Sequence, residues 1–237
     1  MYRNLDAEKI IRTVETLHKR IEERFPDSSL KNVCEEVHSV AIKSQQRSNW
    51  IANPLKSLRL LVAILITIMV AGLGLILNRS SLPRSVFDFN LVELVQVSEA
   101  GLNVVILLGA AALFLITTER RIKRGRALRA IHELRALAHV VDMHQLTKDP
   151  ERVLVRAKDT PSSPKRELSV DELTRYLDYC SEMLSLLGKL AALYVQRFDD
   201  PVALAAVNDV EQLTNGLSRK IWQKISIVNT ARSQPHL

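Results

Sequence analysis

The hydrophobic pattern of the chain contains two long apolar runs. Residues 60–78 and 100–118 hold no charged side chain. At about 1.5 Å of rise per helical residue, each run reaches about 28 Å, close to the hydrocarbon thickness of a bilayer. The pattern therefore predicts two membrane-spanning helices, over 54–78 and 100–118, joined by a short non-cytosolic loop over 79–99.

Outside these runs, apolar residues recur at spacings of three and four, which is typical of amphipathic helices. Proline positions divide the segments, because each proline falls at the edge of an apolar-periodic stretch. The remaining predicted segments are an N-terminal cytosolic helical hairpin over 1–53, a juxtamembrane helix continuing from the second span over 119–146, an exposed loop over 147–168, a C-terminal helix pair over 169–231 and a tail over 232–237.

Several local signals place the helix ends. Ser169 and Glu172 form a capping-box pattern, and Asp200 before Pro201 is a typical cap and first turn. Asn53 and Pro54 are assigned the same role for the first span. In the connection between the spans, residues 87–97 fit either a short interfacial helix, with Phe87, Leu91, Leu94 and Val95 on its apolar side, or a strand.

Two C-terminal apolar stripes are predicted to face a common core. The first is broad, which suits a helical bundle better than a lone coiled-coil seam. It comprises Leu173, Leu177, Cys180, Leu184, Leu187, Ala191 and Tyr194, widened by Tyr176, Met183 and Leu190. The second comprises Val202, Ala206, Val210, Leu213, Leu217, Ile221, Ile225 and Val228. The fold class is therefore all-α: a two-pass transmembrane helical hairpin with a cytosolic helical bundle formed by the N- and C-terminal helices.

Charge predicts the orientation. Basic residues flank the outer ends of both runs, whereas the connection holds only Arg79 and Arg84. Because cationic flanks stay on the cytosolic side, we expect both termini in the cytosol and the protein in the plasma (inner) membrane. The basic cluster that follows the second run is expected to face lipid and to attract anionic lipids; it comprises Arg120, Arg121, Lys123, Arg124, Arg126 and Arg129.

The net charge of +7 is then mainly a topology signal. Nucleic acid is not an expected partner, because no aromatic residue lies within the basic cluster to stack on bases. The first 26 residues lack the apolar core and cleavage site of a removable signal peptide. Cys34 and Cys180 fall on the cytosolic side and are expected to stay reduced, without a disulfide.

One polar cluster, on the predicted juxtamembrane helix, is a candidate for metal binding or proton sensing. His132, Arg135, His139 and Asp142 share the helix face opposite Leu134, Leu137 and Val141 at about 100° per residue. A metal or proton-sensing site would use His132, His139, Asp142 and His144. One helix is insufficient, because His132 and His139 lie about 10 Å apart along its axis. His139 and Asp142 would supply half a site, with Asp178, Cys180 or Glu182 from another helix.

No catalytic signature accompanies this cluster. The His132-Glu133 pair begins a zinc-protease pattern, but Ala136 stands where the second histidine belongs. Glycine-rich phosphate loops and the Gly-x-Ser-x-Gly pattern are absent from the sequence. No enzymatic activity and no cofactor are therefore assigned.

Three functions remain open. The favoured hypothesis is a membrane-anchored cytosolic helical interaction module, acting as a scaffold, sensor or regulatory subunit and associating with itself or with a helical protein partner. The first alternative is an oligomeric pore-forming or membrane-disrupting two-span effector. The second is a metal-dependent enzyme or sensor at the His132, His139 and Asp142 face.

Overall fold

The computed structural model describes residues 4–79, 91–148, 150 and 168–233, and every regular element within these ranges is an α-helix. The helices in chain order are α1 (Ala7–Arg24), α2 (Ser29–Ala52), α3 (Lys56–Arg79), α4 (Leu91–Leu146), α5 (Val170–Ala192) and α6 (Pro201–Ser233). The chain divides into two units: the bundle unit, Met1–Ala52 with Arg124–Leu237, and the apolar unit, Asn53–Lys123.

Helices α3 and α4 are long and apolar enough to cross a membrane. Their most apolar 18-residue windows have mean hydropathies of 2.0 and 2.2, and only 6% and 0% of the residues in these windows are buried inside the protein. Val62 is the one buried side chain among those described in residues 60–118. Leu113 and Ile68, for example, are 68% and 65% exposed.

The start of α4 corrects the predicted loop over 79–99. Helix α4 begins at Leu91 and continues without a break to Leu146. The strand alternative is wrong for residues 91–97, because these residues form the first turns of α4. Phe87 lies outside the described residues, as does most of the predicted loop over 147–168.

Two further predictions about the spans need correction. Helix α3 begins at Lys56, so Asn53 and Pro54 precede it instead of forming its cap and first turn. Small residues such as Gly72, Gly74 and Gly109 in the two apolar runs favour a close approach of the spans. A Cβ added at any of these three glycines would meet nothing within 4 Å, so the described residues make no close contact there.

The bundle unit has a continuous apolar core. All ten residues predicted for the stripe on α5 are buried, and Tyr194 in the turn after the helix is 1% exposed. The predicted capping box is present: the Ser169 hydroxyl accepts from the Glu172 backbone N–H, and the Glu172 carboxylate accepts from the Ser169 backbone N–H. Helix α1 is capped by the Asp6 side chain alone, which accepts from the N–H groups of Glu8 and Lys9.

The buried face of α6 differs from its predicted stripe in the first half of the helix. Val202 is 46% exposed, and Ala206 and Leu213 are half-buried. The buried positions there are instead Ala203, Val207 and Thr214. Burying Val207 removes more apolar surface from water than burying the smaller Ala206 would. From Val210 to Val228 the prediction is otherwise confirmed, with Leu217, Ile221 and Ile225 buried.

Helices α5 and α6 approach each other closely at Gly188. A Cβ at this position would lie 3.3 Å from Thr214 Oγ1, which is tighter than an ordinary van der Waals contact. Thr214 therefore occupies the space that the glycine leaves open. This close approach explains why a polar residue replaces an apolar one in the buried face of α6.

Candidate functional site

The basic segment at residues 120–129 was predicted as a uniform lipid-facing cluster, and its side chains have different surroundings. In the apolar unit, Lys123 is 9% exposed and its Nζ lies 2.9 Å from Glu119 Oε1. Glu119 also accepts hydrogen bonds from the Leu55 backbone N–H at 3.4 Å and from Arg59 Nε at 3.3 Å. One buried carboxylate thus joins α4 to the start of α3.

In the bundle unit, Arg124 binds Asp200 with a two-pronged contact. Arg124 Nε and Nη2 lie 2.9 and 2.7 Å from Asp200 Oδ2. The other oxygen of Asp200 accepts from the backbone N–H groups of Val202 and Ala203 and caps α6. Burial alone would raise the pKa of Asp200, but the hydrogen bonds from Arg124 and from these backbone groups outweigh burial and lower it.

Two further contacts connect α2 to α4 within the bundle unit. The guanidinium of Arg126 lies over the Trp50 ring at 3.8 Å from its centroid, a cation–π geometry. Arg47 binds Glu133 by a hydrogen-bonded ion pair, and this contact raises the pKa of Arg47 despite partial burial. The Trp50 side chain is half-buried, with Arg126 over its ring.

The other three cations of the segment are Arg120, Arg121 and Arg129. All three are exposed, and none has a carboxylate within ion-pair distance in the described part of the chain. The segment therefore consists of three structural cations, Lys123, Arg124 and Arg126, and three cations that are free to meet an anionic surface.

The histidine face is not gathered into one cluster. His132 and His139 are exposed on α4, as the helical periodicity predicted. Asp142 accepts a hydrogen bond from Gln145 Nε2 at 2.6 Å, and His144 Nδ1 lies 3.2 Å from Ser29 Oγ. Among the described residues, no group of three His, Cys, Asp or Glu side chains is placed to hold one metal ion.

The suggested partners from α5 are also engaged elsewhere. Cys180 is fully buried, and Glu182 forms an ion pair with Arg20 on α1 at 2.9 Å. Burial raises the pKa of both Cys34 and Cys180 to about 12, so these thiols are unreactive near neutral pH. The residues proposed for a metal site therefore stay apart in the described structure.

His144 lies in a cleft of the bundle unit, about 720 Å³ in volume, with Ser29, Lys148 and Tyr176. Burial, with a smaller contribution from the charge of Lys148, lowers the pKa of His144. A neutral imidazole beside a hydroxyl is one component of a nucleophilic site. No carboxylate orients the imidazole within the described residues, and we assign the Ser29 contact to anchoring the start of α2.

The comparisons with known proteins give no relative. No protein-family model matches the chain, and no curated protein or solved structure matches it. Function must therefore be argued from the residues themselves.

The acidic partners of the basic segment escaped the sequence reasoning. Glu119 with Lys123 had a local signal, since a glutamate four residues before a lysine is a favourable helical pair. Asp200 and Glu133 had none, because they meet arginines 76 and 86 residues away. Only the packing of α4 against α2 and α6 reveals these pairs.

Proposed function

We propose that the protein is a membrane-anchored helical interaction module, in which a two-span hairpin attaches a cytosolic, self-associating helical bundle to the plasma (inner) membrane. It acts by binding, as a scaffold, sensor or regulatory subunit. No chemistry on a substrate is assigned to it.

One observation carries the anchoring proposal: the apolar windows of α3 and α4 have hydropathies of 2.0 and 2.2, yet almost none of their residues are buried in the protein. Exposed apolar surface of this extent is unfavourable in water, because transfer out of water is favourable by about 25 cal/mol per Å². Lipid covers such a surface without requiring a protein partner.

The contacts of Glu119 support a hairpin. Leu55 and Arg59 come just before the first apolar run, and Glu119 comes just after the second. The hydrogen bonds from Leu55 and Arg59 to Glu119 join these two ends within the apolar unit. Helices joined there enter and leave the bilayer on the same side, which agrees with the charge bias.

Self-association follows from anchoring by physical argument. Confinement to a membrane raises the effective concentration of one copy around another, so weak contacts suffice. The bundle unit also presents an exposed apolar pair on α6, Trp222 at 56% and Ile227 at 46%. We propose a second copy of this chain as the first partner to test.

The orientation of the spans in the membrane is tested by cysteine labelling. The native thiols of Cys34 and Cys180 are buried and unreactive, so they are not expected to be labelled. A cysteine is introduced at exposed Gln212 on α6, or at Ser85 in the connecting segment outside the described residues, and intact cells are treated with a membrane-impermeant maleimide. We expect labelling of Ser85→Cys in intact cells, and of Gln212→Cys only after permeabilisation. Labelling of Gln212→Cys in intact cells would contradict a cytosolic bundle.

Self-association is measured separately, by the mass of the full chain in nanodiscs or detergent. A monomer at all concentrations would remove the partner from the proposal while leaving the anchor intact. Conductance in reconstituted bilayers would favour the pore alternative, and stoichiometric metal in the purified protein would favour the metal alternative.

A further inference from the structure

Helix α6 carries two periodic faces. The first faces the core of the bundle unit and includes Ala203, Val207 and Val210, which are all buried. The second repeats at alternating intervals of four and three residues, which is the spacing of a seam between two coiled helices. We call this second face the outer seam. It comprises Val202, Ala206, Asp209, Leu213, Gly216, Lys220, Gln223 and Ile227.

The described part of the chain leaves the outer seam uncovered. Val202 and Ile227, at its two ends, are each 46% exposed. A Cβ added at Gly216, near its middle, would meet nothing within 4 Å. The other exposed or half-buried members are Asp209, Lys220, Gln223, Ala206 and Leu213. The outer seam therefore has room for a second helix.

The order of residues along the outer seam is self-complementary. Two antiparallel α6 helices, with their midpoint between Leu213 and Gly216, bring each member of one seam opposite a member of the other. The apolar ends then meet, and the acidic residue meets the basic one. The pairs are Val202 with Ile227, Ala206 with Gln223, Asp209 with Lys220, and Leu213 with Gly216, each formed twice by symmetry.

The charges on the outer seam favour the antiparallel order. Asp209 and Lys220 are exposed, and neither forms an ion pair within the described residues. In the antiparallel pair, Asp209 of each copy faces Lys220 of the other. A parallel pair in register would instead place Asp209 against Asp209 and Lys220 against Lys220, and these like charges would repel. The charge pattern therefore selects one orientation.

The middle of the outer seam suits a close contact. Glycine is unfavourable inside a helix, because it loses more conformational freedom on folding than other residues do. Gly216 nevertheless lies in the interior of α6, with open space where a side chain would be. In the antiparallel pair, the half-buried Leu213 of the second copy fills this space. The pairing thus gives a physical reason for a glycine at this position.

We infer that the outer seam of α6 binds the outer seam of a second copy of this chain, with the two helices antiparallel. This inference deepens the self-association in the proposed function and rests on it, but it does not require the membrane anchor. Because both copies use the same face, twofold symmetry closes the assembly at a dimer. Trp222 lies about 140° around α6 from Ile227, so it is outside this interface.

Cross-linking between introduced cysteines tests the interface and its orientation together. The full chain is used in detergent, where no shared membrane plane constrains the two copies. The native Cys34 and Cys180 are buried. Val202→Cys and Ile227→Cys are purified separately and are mildly oxidised, alone and as a mixture. We expect a disulfide-linked dimer mainly in the mixture, because two copies of position 202 lie about 37 Å apart in the antiparallel pair.

The other cross-linking results distinguish the failures. Strong cross-linking of each variant alone, with little in the mixture, would show a parallel pair and overturn the inference. A dimeric mass without a cross-link in any sample would overturn the outer seam as the interface and leave the self-association standing. A monomer at all concentrations would overturn both the self-association and this inference.

Reversal of the seam charges is a second, independent test. Asp209→Lys should weaken dimerisation about tenfold, because two exposed ion pairs become two repulsive contacts. Lys220→Asp should act in the same direction. The double variant restores opposite charges at the paired positions and should recover most of the lost affinity. The fraction of dimer is measured by analytical ultracentrifugation over a range of protein concentrations.

Two controls lie outside the seam. Asp199→Lys makes the same charge change at an exposed position just before α6. Trp222→Ala removes an apolar side chain that is 56% exposed on another face of α6. Neither should change dimerisation. An equal loss in Asp199→Lys and Asp209→Lys, a double variant no better than the single ones, or a loss in Trp222→Ala with none in Asp209→Lys would each overturn the inference.

Discussion

Helix α5 of the bundle unit and helix α3 of the apolar unit place the same kind of side chain in opposite surroundings. Leu177, Leu184 and Leu187 on α5 are 0% exposed, whereas Leu60 and Leu65 on α3 are 63% and 57% exposed. The two helices differ in how their leucines are arranged around the helix axis, and not mainly in how many leucines they hold. On α5 the leucines lie along one stripe with charges opposite, while on α3 they surround the helix.

This contrast supports the proposed membrane anchor. A stripe can be buried by neighbouring helices, but a helix that is apolar on all sides needs an apolar medium around it. Direct tests therefore make the same substitution in both units and compare the results.

The largest expected effect is from emptying the core of the bundle unit. Leu184→Ala should lower the free energy of unfolding by about 3–5 kcal/mol, because it removes buried apolar surface and leaves a cavity. For a unit of this size, that corresponds to roughly a 10 °C lower melting temperature. The tryptophans, Trp50 and Trp222, both lie in the bundle unit, so their fluorescence during heating in detergent reports its unfolding.

Leu65→Ala is the matched variant in the apolar unit, and it should leave this tryptophan transition nearly unchanged. Equal destabilisation by both variants would show that the exposed leucine is in fact packed on the bundle, and the contrast between the units would fail.

The second test places a charge in each unit. Ile68→Arg lies near the middle of the first apolar run and should raise the free energy of membrane insertion by about 3 kcal/mol, the cost of arginine at the centre of a spanning helix. Ile68 is 65% exposed in the protein, so a water-facing position would tolerate this change. The inserted fraction is measured by alkaline extraction of membranes.

Ile227→Arg supplies the comparison, since Ile227 is also exposed, at 46%, but belongs to the bundle unit. We expect it to leave the inserted fraction unchanged. If Ile68→Arg extracts no more readily than Ile227→Arg, lipid does not surround α3.

Periodicity predicted the helices well, because each repeats its own local pattern over many residues. The stripe on α5 was predicted completely, and the Ser169 and Glu172 cap is present. Errors arose where a pattern is short or mixed. Residues 91–97 fit both the helical and the strand spacing of apolar residues. In the first turns of α6, the buried stripe can begin equally well at Val202 or at Ala203.

The candidate site was less predictable, since its contacts are long-range. The sequence showed six basic residues at 120–129 but not which of them meet acids. Arg124 pairs with Asp200, and Arg126 stacks on Trp50, through packing that no local pattern records. The His132 and His139 cluster was a true helical face, yet a shared face does not bring ligands to one point.

A third, smaller effect on stability is expected at Asp200, a buried carboxylate of the bundle unit. Asp200→Ala should lower the free energy of unfolding by about 1–2 kcal/mol, because it removes the cap of α6. The loss of the partner of Arg124 acts in the same direction. Asp199→Ala is the control, since Asp199 is its exposed neighbour. Thermal melting followed by tryptophan fluorescence measures both variants, and an equal melting temperature for the two would show that the cap contributes nothing.

The smallest expected effect is a pH dependence confined to the bundle unit. Burial and the nearby charge of Lys148 lower the pKa of His144, so the folded protein favours the neutral imidazole. The unfolded chain binds a proton near the ordinary histidine pKa of about 6.5, and the stability that His144 contributes is therefore complete above that pH and is lost as the pH falls below it. Between about pH 7.5 and 5.5, the wild-type melting temperature should fall more than that of His144→Gln, in which residue 144 no longer titrates while the other histidines still do. Parallel profiles for the two proteins would mean that His144 is protonated as readily in the fold as in the unfolded chain, and the cleft beside Ser29 would then be as open to water as the exposed face of α4.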